Sequence, residues 1–176
     1  DHSLDTVLDA TALESKWKFN ISSLARRVEG ISGGHLILVG ARPNTGKTSF
    51  HASLVAADNG FAHQGAKCII LANEEAVTRV AARYISASSN MTMGEVRGNK
   101  ALANKRYHPV SENIQFKDST GKGMDWVESV VKYERPDILI LDMGDKFADI
   151  RSERSDITLK AAAIHARNIA KQYDCA

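Results

Sequence analysis

The chain has 176 residues, 43% hydrophobic and 25% charged, enough for one enclosed core in an ordinary globular composition. A formal charge of +2 demands no broad nucleic-acid surface and leaves room only for a local basic strip. Aromatics at 6% give no evident stacking platform for single strands. No apolar run approaches membrane-spanning length, and the opening DHSLDTVLDA is no signal peptide.

Residues 1–20 read as a leader. Leu4, Val7 and Leu8 have helical spacing, and Leu13 and Trp17 form a second such pair. This is either a short helix packed on its own domain or an arm docking on a neighbour. Residues 21–176 read as the core. The turn cluster at 29–35, EGISGGH, feeds a buried strand over residues 36–40, LILVG. A Gly/Pro/Asn loop follows, and Gly46-Lys47-Thr48 opens a helix. Strand, loop and helix together make a phosphate-binding loop.

That loop has a physical rationale. Backbone N–H groups in a tight turn and at a helix start form an anion nest. Gly46 lets the backbone approach a phosphate closely. Lys47 supplies a point charge for the terminal phosphates, and the Thr48 hydroxyl is a hard oxygen ligand for Mg²⁺. The binding residues are Ala41, Arg42, Pro43, Asn44, Thr45, Gly46, Lys47, Thr48 and Ser49. The usual pattern begins with glycine, whereas Ala41 stands there in this chain and Gly40 lies one place earlier.

Phe50, Leu54 and Ala57 line one face of the next helix, which ends near Asn59-Gly60. KCIILA at 67–72 is a short continuous apolar run, as in a strand covered on both faces. Asn73-Glu74-Glu75 closes it. Val77, Val80, Ala81, Tyr84, Ile85 and Ser88 form a helical stripe, with Arg79 and Arg83 off it. Residues 86–109 are polar and read as two short helices and a loop, with Met91, Met93 and Val96 as apolar points. NIQFK at 113–117 is a third strand, followed by a turn at 118–121 and a helix marked by Trp126, Val127, Val130 and Val131. Arg135-Pro136 stops that helix, and DILIL at 137–141 is a fourth strand ending at Asp142. A charged loop over 144–155 precedes a long helix over 156–173.

Strands alternating with helices predict an α/β fold with a mostly parallel sheet flanked by helices. Ligands bind beyond the carboxyl ends of such strands. The rule places the phosphate loop, Glu74, Glu75, Asp118 and Asp142 on one rim. Ile138-Leu-Ile-Leu141-Asp142 is the Walker B pattern: Asp142 holds Mg²⁺, directly or through water, opposite Thr48. Hydrolysis also needs a carboxylate to take or orient water near the terminal phosphate. Glu74, nearer the strand end, is the choice, with Glu75 as the alternative. Both also suit a bland role as charges at a helix start. The candidate catalytic residues are thus Glu74, Lys47 and Asp142, and the candidate metal ligands are Thr48 and Asp142.

Lys146, Arg151 and Arg154 lie in the charged loop, as solvated residues or as contacts to DNA or a neighbouring subunit. On the last helix Leu159, Ala162, Ala163, Ala166, Ile169, Ala170 and Tyr173 form one apolar face, while Ile157, Ala161 and Ile164 lie nearly opposite. Two apolar stripes suggest contact on two sides. The six histidines, His2, His35, His51, His63, His108 and His165, show no metal spacing. Cys68 and Cys175 read as buried free thiols of a reducing cytosol.

Ala41-Arg42-Pro43-x-x-Gly46-Lys47-Thr48 resembles the A-R-P-x-x-G-K-T loop of DnaB-type replicative DNA helicases of bacteria and phages, a family that commonly has alanine first. A second strand ending in Glu, a helix carrying Arg83, and MGEVRG at 93–98 are similar to the same family. So are the segment at 114–120, the Asp142 strand and a long helix with a K-x-Y ending, so that the likeness spans 23–176. Met143-Gly-Asp-Lys146 after Asp142 departs from the aromatic usual in bacterial members and looks phage-like.

The resemblance implies a RecA-like ATPase core, ATP and Mg²⁺ as ligands, single-stranded DNA as track, a ring hexamer, a primase or loader partner, and the cytoplasm of a bacterial cell or phage-infected host. The family's γ-phosphate sensor, DNA loops and arginine finger have no counterpart in these residues. The chain therefore reads as a C-terminally incomplete core, nucleotide-binding but unable to unwind DNA alone. Other readings are a different RecA-like ATPase, such as a recombinase or KaiC-like protein, and a non-hydrolysing nucleotide-binding assembly module. A small-molecule kinase is disfavoured, since no Arg-rich lid is visible.

Overall fold

The computed structural model describes residues 3–6, 15–42, 45–147 and 155–176. Val7, Leu8 and Leu13 of the leader, Pro43 and Asn44 of the loop, and Arg151 and Arg154 lie outside the described residues. The fold is α/β, as the alternation predicts. Strand β3 (Cys68–Ala72) is central, with β4 (Ile114–Asp118) and β5 (Ile138–Leu141) parallel on either side. Cys68 stands opposite both Ile114 and Ile138, so the three strands start in register, and β5 ends opposite Leu71, one residue before Ala72 and Asp118. Their carboxyl ends, Ala72, Asp118 and Leu141, make one rim.

Both faces of β3 are covered, which is why KCIILA is apolar throughout. Cys68, Ile70 and Ala72 point to one core, and Ile69 and Leu71 to the other, with the period of two that a strand imposes. The first core takes helices α2 (Lys47–Ala56), α3 (Val77–Ser89) and α5 (Lys100–Ser111) through Val55, Val80, Tyr84 and Val110. The second takes α6 (Met124–Glu134) and α7 (Ser155–Tyr173) through Met124, Val127, Val131 and Ile169, together with Phe147. Between α3 and α5 sits α4 (Met93–Gly98), started by a capping box in which Thr92 and Glu95 satisfy each other's backbone N–H groups. Residues 86–109 therefore hold almost no loop: α3 runs on to Ser89, and α5 carries Pro109 near its end.

The leader corrects one expectation. Trp17 belongs to no helix. It lies in β1 (Trp17–Lys18), which pairs antiparallel with β2 (Gly30–Ile31) across the short helix α1 (Ser22–Ala25). Trp17, Phe19 and Ile31 are buried in the first core, and Phe19 tilts against Phe61 at 5.7 Å. The expected turn cluster at 29–35 thus begins with a strand.

A larger correction concerns residues 36–40. They form no strand among the described residues, and Leu36, Ile37, Leu38 and Val39 are 37–66% exposed. The edge of β5 that would receive a parallel neighbour is occupied lower down by the last residues of the chain. Ala176 donates to Asp137 O at 2.9 Å and accepts from Leu139 N–H at 2.7 Å, while Gly34 N–H donates to Cys175 O at 3.0 Å. Beyond that point the apolar quartet has no ladder partner, and an isolated strand does not hold itself together.

On the last helix Ala162, Ile169 and Ala170 are buried as expected, and Ile157 and Ile164 of the opposite face are exposed; only Leu159 departs from its face, being exposed as well. The segment after Asp142 is not all loop: Gly144–Phe147 is a turn of 3₁₀ helix that sends Phe147 into the second core.

Cys68 and Cys175 are free and buried. Burial raises the Cys68 thiol far above its ordinary range and pushes Cys175 up to about 11. A thiolate reagent at pH 8 should therefore label neither residue in the folded chain and both in denaturant. Rapid native labelling of either would contradict the packing around β3 and the chain end.

Candidate active site

The GKT segment starts α2. Gly46 is its N-cap at φ 91°, a left-handed conformation that glycine adopts without strain, and no atom stands within 4 Å of where its Cβ would be. Thr45 folds the loop back by donating from its hydroxyl to Arg42 O at 2.6 Å. Ala41, Arg42, Gly46, Lys47, Thr48 and Ser49 line a cleft of about 290 Å³ whose opposite wall is Glu74, Glu75, Arg83 and Met143. The loop thus faces the carboxyl ends of β3 and β5 as anticipated. Asp142 is not among the lining residues, being buried beside Lys47, and neither is Asp118. Asp118 ends β4, beyond β3 from β5, and its carboxylate accepts from Thr120 N–H at 2.9 Å to close a turn.

Lys47 is the hub. Its ammonium lies 3.8 Å from Glu74 and 3.6 Å from Asp142, and it also meets the Met143 sulfur. The two acids differ sharply in environment. Glu74 is half exposed, whereas Asp142 is 2% exposed. Burial raises the Asp142 pKa and the Lys47 charge pulls it back, while Glu74 and Glu75 add to the rise. Among the described residues neither buried Asp142 oxygen has a hydrogen-bond partner. Such a carboxylate keeps lone pairs available to a cation. Thr48, the second residue of α2, lines the cleft.

Glu74 and Glu75 separate clearly. Glu75 accepts from the Arg83 guanidinium at 2.8 Å, and that hydrogen bond holds its carboxyl below the usual range. Glu74 makes no such bond and turns to Lys47. Neither sits in the first turn of α3, which begins at Val77 after the N-cap Ala76.

Three residues near the site carry no functional weight in the sequence: Met143, His51 and Tyr84. Met143 has φ 64°, unusual for a branchless but bulky side chain, and the turn it makes lays its sulfur over Lys47. His51 is buried on α2 one turn beyond Lys47, with Nδ1 2.8 Å from the hydroxyl of Tyr84 and Nε2 4.0 Å from Asp142. Burial, then the charges of Lys47 and Arg83, lower the His51 pKa to about 4, so its ring is neutral at pH 7. Metal-ligand spacing was the wrong filter for His51. The signal available in the sequence was its i+4 relation to Lys47, which puts both on one helix face.

A phosphate-sized anion fits this cleft, with a helix start and an ammonium on one wall and carboxylates on the other. A hard divalent cation also fits, through the Thr48 hydroxyl and the unpartnered Asp142 oxygens. Among the described residues no three His, Cys, Asp or Glu side chains could hold a metal by themselves. A cation here therefore takes the rest of its oxygens from ligand and water, as Mg²⁺ readily does.

Fold and cleft define a phosphate-loop nucleotide-binding α/β protein. The model of the AAA domain family matches residues 6–176, and the chain belongs to that family. Among solved structures, a DnaB-like replicative helicase, described with its interactions with primase, is similar at a TM-score of 0.79 and 16% identity. That likeness covers 99% of this chain and 47% of the helicase. The ATPase domain of G40P is similar at a TM-score of 0.72 and 16% identity, over 99% of this chain and 69% of that one. The chain shares the RecA-like fold of these domains and spans about half the length of the DnaB-like helicase. A search of curated proteins finds no match. No helix among the described residues is long and apolar enough to cross a membrane.

Proposed function

We propose that this chain is the ATP-binding and ATP-hydrolysing motor core of a replicative DNA helicase that moves on single-stranded DNA. The observation that carries the reading is the Lys47 ammonium set between an exposed and a buried carboxylate, at the start of the GKT helix. ATP with Mg²⁺, when bound, supplies the phosphoryl group to be passed to water and a metal charge on its oxygens. The chain's own residues do the rest. Residues Ala41 to Ser49 cradle the anion, with Lys47 as the charge. Thr48 and Asp142 hold the cation. Glu74 orients a water and takes its proton at a carboxylate oxygen. Arg83 keeps Glu75 out of that role.

The domain boundary at residue 20, the homo-oligomeric ring hexamer, a primase or loader partner and a cytoplasmic setting, bacterial or phage-infected, belong to the same proposal. The exposed Ile157, Leu159 and Ile164 on α7 are compatible with packing against a neighbour. Turnover of ATP by the full-length protein, with and without single-stranded DNA, tests the reading. Stimulation of several-fold is expected. Unstimulated turnover would point to another RecA-like ATPase, and failure to bind ATP at all would remove the proposal.

A further inference from the structure

We infer that His51 and Tyr84 are positioning residues for Asp142: Tyr84 fixes the imidazole so that its Nε2–H is presented to Oδ1 of the buried carboxylate. This rests on the nucleotide-binding reading above and adds a part that the phosphate loop, Glu74 and Asp142 do not supply.

Three buried side chains stand in line. Tyr84 is fully buried, and its ring meets Phe116 edge-on at 5.0 Å and 88°. It therefore has a fixed place from which to reach His51. Its hydroxyl lies 2.8 Å from His51 Nδ1. On the other side His51 Nε2 lies 4.0 Å from Asp142 Oδ1, and neither that nitrogen nor either oxygen of Asp142 has a hydrogen-bond partner.

The proton arrangement follows from what each group can satisfy. A neutral imidazole has one N–H and one lone pair. With the proton on Nδ1, the ring would donate to Tyr84, strand the buried phenol proton, and aim the Nε2 lone pair at a carboxylate. With the proton on Nε2, Tyr84 donates to Nδ1 and the remaining N–H faces Asp142. Only the second arrangement leaves no like-signed contact and no orphaned donor at the phenol. At 4.0 Å the last link is an electrostatic approach and longer than a hydrogen bond.

The consequence concerns the cation. Asp142 ends a strand and is held through its backbone, with Asp142 N–H donating to Leu71 O at 3.1 Å. Lys47 at 3.6 Å and His51 Nε2 at 4.0 Å both face the same oxygen of its side chain, Oδ1. A donor held at Oδ1 orients the carboxylate and leaves Oδ2 for Mg²⁺, the usual task of a partner one step behind a metal ligand. His51 acts through Asp142 and touches neither nucleotide nor metal.

The test uses the full chain and a fluorescent ATP analogue, titrated with Mg²⁺ and with Mg²⁺ chelated. His51→Ala should raise the Mg²⁺ concentration needed for tight binding by about tenfold, while affinity in chelator stays within about twofold. His51→Gln, whose amide places an N–H near the Nε2 position, should recover most of the loss. Tyr84→Phe should show a smaller shift of the same kind. Nitrogen NMR of the wild-type imidazole should report the Nε2–H form. Equal loss in chelator and in Mg²⁺, no rescue by glutamine, or an Nδ1–H ring would each overturn the inference. Thermal melting of the variants identifies a folding failure, in which case the NMR form of the wild-type ring decides. A wild-type chain that binds no nucleotide would instead defeat the functional reading.

Discussion

Replacing Lys47 by alanine should cut ATP turnover by about 10³-fold and weaken nucleotide binding by roughly ten- to a hundredfold, the worth of a charge-assisted contact. No other described cation lies so close to both Glu74 and Asp142. Arginine should not restore activity, because its planar fork is larger and cannot serve as the same point charge. The variant should also carry a distinctive pH signature. Burial already raises the Asp142 pKa, and Lys47 is what pulls it back. A carboxyl whose folded pKa lies above its unfolded one contributes stability at low pH and loses it as pH rises through the folded value. Removing Lys47 enlarges that rise. The alanine variant should therefore melt further below wild type as pH climbs through and above the carboxylate range, and converge on it in acid. Melting curves across pH check this directly. A pH-independent gap would mean that Lys47 and Asp142 are not coupled.

The elements that a sequence pattern reveals are those whose neighbours also lie nearby in structure. KCIILA is legible because β3 is covered on both faces, and Trp126 to Val131 because α6 shows one face to the second core. LILVG at 36–40 has the same apolar character, yet joins no ladder among the described residues. Composition reports a tendency to be buried in a sheet, and a strand needs a partner edge to satisfy its backbone. Trp17 was misjudged for the opposite reason. Spacing with Leu13 suggested a helix, but the long-range pairing of Lys18 with Gly30 decides its structure. In the site, Glu74, Lys47 and Asp142 were legible because each ends a strand or begins a helix, positions that the topology sends to one rim. Asp118 obeys the same rule and still misses the cleft, because the order β4-β3-β5 puts it at the far side. His51 and Tyr84 were not legible as a pair: they are 33 positions apart, on two helices whose approach only packing determines.

Glutamine at position 74 should leave ATP binding within about threefold of wild type and lower hydrolysis by roughly 10² to 10⁴, the range for loss of a general base. The geometry separates this residue from its neighbour. Glu75 is committed to Arg83 at 2.8 Å, and that hydrogen bond keeps it ionised and turned away. A carboxylate held so firmly is a poor acceptor for a proton from water, because taking the proton would cost it the charged hydrogen bond. Glu74 is half exposed, faces the cleft and has only the flexible Lys47 beside it at 3.8 Å. When Lys47 turns to a bound phosphate, Glu74 is left free to face water. Glutamine there keeps the shape and hydrogen-bonding capacity but cannot accept the proton, so binding survives while turnover falls. Glu75→Gln provides the comparison. It should break the pair with Arg83 and reduce hydrolysis by no more than about tenfold, since a positioning contact is lost rather than the base. Single-turnover measurements on the full-length protein separate the two effects from product release. Should Glu75→Gln prove the more damaging of the pair, the carboxylates exchange roles, and the Arg83 contact becomes the device that lowers the barrier rather than the one that removes Glu75 from the chemistry.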